Sequence, residues 1–231
     1  MSEMPPIEPT PPSPPASGAG SLPWEASNAG IGSIVTTAMR FVTGPGRAFE
    51  RMSLTVDLVR PIAYFVALIL VAAVVAQVWN VVLWDTVMGM IKGFMPPQMQ
   101  SLLHRPSALQ VALGLVITPL IYLILLFVWS GVVHLILTML GGAAGGFAAT
   151  LRTICYARTA DVATLFPVLG GLVAFVWRRV LEVIGLSVAH RTEGWKAVLA
   201  VVIPMMLCCL CVVGVGMMFG AAIAQALQQL K

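Results

Sequence analysis

Three stretches of the chain carry no Asp, Glu, Lys or Arg: residues 61–84, 106–151 and 197–230. Each exceeds the ~20 residues an α-helix needs to cross the hydrocarbon core of a bilayer. The first predicts a span at about 62–84, with Trp79 and Trp84 placed for a membrane interface. The second predicts a span at about 112–140, with Pro119 and His134 inside it. Gly-Gly-Ala-Ala-Gly-Gly at 141–146 ends that helix or lets backbones approach closely. The third predicts a span at about 197–220, kinked at Pro204. Residues 85–110, with Pro96-Pro97 and His104-Arg105-Pro106, read as a polar loop.

The stretch 147–190 is apolar on average but holds Arg152, Arg158, Asp161, Arg178, Arg179 and Glu182. It crosses once, over 162–189, or twice, over 147–168 and 170–190 with a turn at Pro167–Gly171. The cations separate the two readings, because Lys and Arg collect on the cytoplasmic side. With four passes, seven lie on the inner side and six on the outer. With five passes, Arg40, Arg47, Arg51, Arg60, Arg152, Arg191 and Lys196 lie inside against Lys92, Arg105 and Lys231 outside. Seven against three is the better fit. The expected fold is therefore an all-α, polytopic helical membrane protein with five spanning helices, four being the alternative. Its N-terminus is cytoplasmic and its C-terminus outside.

Two crossings put charge into the membrane, at ~2.5–3.5 kcal/mol for each Arg or Asp at a helix centre. The spacing offers pairing. Asp161 and Arg178 lie eight and nine residues from Leu169, so both sit ~12–14 Å below the turn at ~1.5 Å per residue. Arg158 and Glu182 lie a turn deeper. Arg158–Asp161 and Arg178–Glu182 are at helix-neighbour spacing. A hairpin thus gathers three Arg and two carboxylates at one level.

Composition agrees with the pattern. Of 231 residues, 59% are apolar and 10% charged, against ~45–50% and ~25% in soluble domains. Mean hydropathy is +0.95. A water-soluble enzyme, a coiled coil, a disulfide-stapled domain and disorder throughout are excluded on that ground. The net charge of +4 reads as topology, and no basic stripe suggests nucleic acid. The lipid bilayer is the expected surrounding, a cell or inner membrane if the chain is prokaryotic.

Residues 1–23 hold eight of the sixteen prolines and read as a disordered tail that tethers or docks. Their opening, MSEMPPIEPTPPSPPASG, predicts no cleavable signal peptide. Residues 24–60 predict two amphipathic helices at the membrane surface, over Ile31–Val42 and Arg47–Leu58, broken at Gly44-Pro45-Gly46. Phe49, Met52 and Val56 share one side of the second. Residues 61–230 form the transmembrane unit.

His134 is an ionisable group within a span and hence a candidate site. It needs Asp161 or Glu182 as a partner for proton or ion work; more often such a His hydrogen-bonds across a helix interface. Cys208-Cys209-x-Cys211 lacks the second ligand pair of a structural zinc site. Gly141/Gly145, Gly142/Gly146 and Gly216/Gly220 fit the small-xxx-small helix-contact pattern, which permits a homo-oligomer. No motif of a metalloprotease, nucleophile elbow or phosphate loop occurs. The residues suggest no enzyme activity, catalytic residue, metal or cofactor.

His134, Gly141-Gly142, Gly145-Gly146-Phe147, TLRTICYA at 150–157, FPVLGG at 166–171, IGL at 184–186, His190 and GWKAVL at 194–199 follow one another in an order that resembles the Yip-domain family, in particular its prokaryotic branch. These are membrane proteins named for interaction with Ypt/Rab GTPases. LPWE at 22–25 and the Gly-Pro-x-x-x-Phe around Pro45 and Phe49 are similar to its lead-in. The likeness covers roughly residues 40–220. It implies five spans, a cytosolic N-terminus and, from eukaryotic relatives, a trafficking-like role. The functional expectation is a scaffold or adaptor that recruits a cytoplasmic protein through residues 1–60. The alternative is a small-solute or ion transporter or channel with His134, Arg158, Asp161 and Arg178 around a midplane site.

Overall fold

A computed structural model describes residues 21–229 except 27, 56, 96–99 and 101–103. The expected tail up to residue 20, Val56 of the second amphipathic helix, the Pro96-Pro97 pair and Lys231 lie outside the described residues. After a short 3₁₀ turn at Pro23–Glu25 come α1 (Ile31–Thr43), α2 (Pro45–Glu50), α3 (Val59–Lys92) and α4 (Ala108–Met139). Then follow α5 (Gly146–Ala157), a 3₁₀ helix at Arg158–Leu165, α6 (Gly170–His190) and α7 (Gly194–Gln229).

The charge-free stretches become the long helices α3, α4 and α7, all with the length and composition of membrane spans. Ser107 starts α4 with a capping box, its hydroxyl accepting from the Gln110 N–H while the Gln110 side chain accepts from its own. The end of α4 depends on Gly141, whose φ of 66° is left-handed backbone that glycine adopts without a Cβ clash. Its neighbours serve closeness instead. A Cβ on Gly142 would lie 2.8 Å from Thr192 Oγ1, and one on Gly145 2.7 Å from the Ala189 carbonyl.

Among the described residues the long helices bury only one end each. In α3 the buried residues are Pro61, Tyr64, Phe65, Leu68 and Ile69; in α4 they are Leu126, Ser130, Val133 and Leu137. In α7 they are Ala197, Ala200, Val201 and Pro204. These ends come together because α3 leaves the place to which α4 returns and from which α7 leaves again. Beyond it, Val71, Val78, Leu113, Leu120, Leu210 and Val213 are exposed apolar residues.

The packed base has two joined cores. One gathers Phe65, Ile69, Leu126, Leu137, Leu151 and Leu186. The other gathers Leu22, Phe41, Phe49, Tyr64, Tyr156 and Leu181. Residues 22–52 are thus walls of the same core as the hairpin. α1 turns Ala38 and Phe41 inward and leaves Ile31, Val35, Met39 and Val42 exposed. The expected second helix is shorter than its pattern: α2 stops at Glu50. The reason lies at Ser53, whose N–H donates to Glu25 Oε2 (2.9 Å) and whose carbonyl accepts from Arg152 Nη1 (2.7 Å). Side chains take the backbone groups that a helix would have used.

The expected span at 147–168 is not one α-helix. It is α5 followed by eight residues of 3₁₀ helix. In a 3₁₀ helix residues i and i+3 eclipse, which sets Arg158 Nε 2.6 Å from Asp161 Oδ2. The Thr159 and Thr164 hydroxyls donate to the carbonyls three residues back, at 2.8 and 2.7 Å. The turn lies where expected, with α6 starting at Gly170. A Cβ on Gly170 would drive into the Ala163 carbonyl.

Gly185 seats α2 on α6. A Cβ there would lie 2.6 Å from Phe49 Cε1. Gly185→Ala is expected to cost about 1–3 kcal/mol, the usual penalty of overpacking. Thermal unfolding of the purified protein checks this; an unchanged midpoint would mean that Phe49 does not rest there in solution.

Candidate functional site: a buried charge network

The hairpin brings five charged side chains together. Asp161, almost fully buried, takes Arg158 through one oxygen and Arg178 of the opposite arm through the other. Glu182, 1% exposed, accepts from Arg179 Nη1 at 2.7 Å and from Trp129 Nε1 of α4 at 3.3 Å. The expected Arg178–Glu182 pair is replaced by Arg179–Glu182. Successive helix positions are ~100° apart, so Arg178 faces the other arm while Arg179 faces α4. Each outer guanidinium also lies over a ring. Arg158 Cζ is 4.5 Å from the Tyr122 centroid, and Arg179 Cζ is 4.7 Å from that of Trp129. Such stacking shields a cation that water does not reach.

His134 is not part of this network. Its Nδ1 lies 2.9 Å from Thr150 Oγ1, which is 2.9 Å from His190 Nε2. His190 Nδ1 accepts the Gly145 N–H at 3.0 Å. Since that amide only donates, Nδ1 of His190 is unprotonated and Nε2 carries the hydrogen toward Thr150. The Thr150 hydroxyl then donates to His134. The structure therefore gives His134 a threonine and a second histidine across the α4–α5–α6 interface, and neither expected carboxylate.

A third cluster was not among the expected site residues. Glu25 is buried at the N-terminal edge of the base; its Oε1 accepts from Tyr156 O–H at 2.9 Å and its Oε2 from Ser53 N–H. Burial pushes its carboxyl above the ordinary carboxylate range, against the pull of the Ser53 and Tyr156 hydrogen bonds and of Arg152. Trp24 holds the segment, its N–H donating to Thr37 Oγ1 (3.0 Å) and its Nε1 to the Arg60 carbonyl (2.7 Å). Arg60 returns a bond to the Trp24 carbonyl at 3.0 Å and another to that of Ala26. Tyr156 stacks on Phe41 with centroids 5.4 Å apart. The sequence held two hints, Glu25 in the LPWE lead-in and Arg152 in the apolar run TLRTICYA, a cation in need of an acceptor.

The small-residue pairs divide. Gly142 and Gly145 serve packing within the chain, and Gly141 and Gly146 have positive φ. Around Gly216 and Gly220, apart from the adjoining residues and the nearby backbone of α7 itself, no atom of the described residues comes within 4 Å of the point where a Cβ would stand. Cys208, Cys209 and Cys211 lie on the exposed surface of α7.

Comparison with curated proteins and with solved structures returns no match. A family model described as the Yip1 domain matches residues 39–216. That range takes in the end of α1, then α2, α3, α4, the charged hairpin and the greater part of α7. With its apolar helices the chain is an integral, multi-pass membrane protein, and it belongs to the Yip1-domain family.

Proposed function

We propose that the chain is a non-enzymatic membrane scaffold or adaptor. One observation carries this reading: the hairpin's ion pairs lie inside the base, while the far ends of α3, α4 and α7 offer apolar faces to neighbours. Gly216 and Gly220 add a smooth strip on α7, open to close approach by a second helix. In this reading α7 supports a homo-oligomer, and the N-terminal segment recruits a cytoplasmic protein.

The reading also takes five passes, with the N-terminus inside and the C-terminus outside. The arm formed by α5 and the 3₁₀ helix is about 34 Å long, and α6 about 31 Å, at the rises of the two helix types. Both match a hydrocarbon core of ~30 Å. Topology reporters fused to each end, read in the same cells, should report opposite sides; the same side would remove one crossing.

The adaptor role is tested by truncation, and the core dictates where to cut. Leu22, Phe41 and Phe49 are core residues, so removing residues 1–60 would dismantle the base. Removing residues 1–20 spares it. The shortened chain should keep its melting temperature and its oligomer in nanodiscs but lose a cytoplasmic partner that crosslinks to the full chain. If neither an oligomer nor a partner is found for the full chain, the proposal fails. Solute or ion flux in reconstituted vesicles that depends on Asp161 and Arg178 would favour the transporter reading instead.

A further inference from the structure

The charge network does not balance. It sets three guanidinium groups against two carboxylates, leaving one positive charge over. Nε of Arg178 and of Arg179 are buried with no hydrogen-bond partner among the described residues. An uncompensated cation held away from water is costly. Beside this excess lies a cavity of about 320 Å³ between α4, α6 and α7. Arg158, Arg178, Arg179 and Glu182 form its charged end, three cations to one carboxylate, and the Arg178 and Arg179 side chains remain about one-fifth exposed. Phe65, Leu126 and Trp129 form apolar walls. Leu125, Val128 and Cys208 line its rim and are exposed on helices of membrane-span composition, so the cavity opens sideways toward lipid.

We infer that this cavity binds a single-chain anionic lipid, its carboxylate or phosphate head on Arg178 and Arg179 and its acyl chain along Phe65, Leu126 and Trp129. The head supplies the missing negative charge. Guanidinium groups suit planar carboxylate and phosphate oxygens through paired N–H donors. A wall of hydrocarbon and aromatic rings beside a few fixed polar groups is the general form of a small-ligand site. The volume suits one chain rather than two. The inference stands apart from the scaffold proposal, since it concerns the inside of one chain.

The test uses the full chain in phosphatidylcholine nanodiscs, with four probes: oleate, oleoyl lysophosphatidate, oleoyl lysophosphatidylcholine and inorganic phosphate. Binding is read by native mass spectrometry and by the shift in melting temperature. Oleate, lysophosphatidate or both should bind at one per chain and raise the melting temperature; which of them does so identifies the head as carboxylate or phosphate. Arg179→Gln should weaken binding at least tenfold. Cys208→Trp fills the rim without touching a charge, and should weaken binding equally while the protein keeps its fold. Equal binding of lysophosphatidylcholine would overturn the site, because the cation would then play no part. Binding of inorganic phosphate as tight as that of the lipids would overturn the acyl chain's role. Undiminished binding to Cys208→Trp would place any lipid elsewhere.

Discussion

Asp161→Asn should be the most damaging single substitution in the hairpin, costing about 3–5 kcal/mol. The carboxylate answers two guanidinium groups, Arg158 on its own arm and Arg178 on the facing one. The amide keeps the size but not the charge, and leaves two cations side by side in a site remote from water. The damage should be relieved in part by removing one of them. Asp161→Asn with Arg178→Leu is expected to unfold later on heating in detergent than Asp161→Asn alone. A double-mutant cycle measures that coupling directly. A cost below about 1 kcal/mol for Asp161→Asn, typical of exposed ion pairs, would mean that water reaches the hairpin interior.

Glu25→Ala should follow it, at about 2–4 kcal/mol. The buried Tyr156 O–H and the half-buried Ser53 N–H would lose this acceptor, and an unsatisfied buried group costs ~1–3 kcal/mol. The loss of order should run through residues 22–53 and spare the contacts between α4 and α7, which hydrogen exchange can resolve. Glu25 also sets a pH dependence. Its carboxyl ionises near 4.5 in an unfolded chain and higher in the folded one. Between those values the folded state holds more protons, so its stability falls as pH rises through that window and levels off above it. Glu25→Gln should remove this part of the slope in melting curves taken from about pH 4 to about pH 8. A mutant slope equal to that of the native chain would place the titrating group elsewhere.

What could be read from the chain and what could not differ in kind. The spans at α3, α4 and α7 follow from runs without charge, a property of each segment alone. The turn before Gly170 and the common level of Asp161 and Arg178 follow from counting residues outward from one point. Three features resisted. The choice of Arg179 over Arg178 as partner of Glu182 depends on which way α4 and the other arm lie. The 3₁₀ winding at 158–165, which sets the Arg158–Asp161 pair, has no counterpart in apolar spacing. Glu25 lies in a segment whose composition predicts only tail and surface helix. Its burial rests on Tyr156 and Arg152, which no local periodicity connects to it. His134 was a fair candidate by type, but its true neighbours, Thr150 and His190, offer it hydrogen bonds without the charge a carboxylate would bring.

The bond between Glu25 and Tyr156 joins residues 131 positions apart. A ribosome adding ~5–20 residues each second needs roughly 7–26 s to make the intervening chain. For that interval Glu25 has only the Ser53 N–H within reach and lacks its tyrosine, while the first long helices are being made. The segment from Leu22 to Glu25 therefore cannot complete its contacts until the hairpin's first arm has been made, although it belongs to the part of the chain synthesised early.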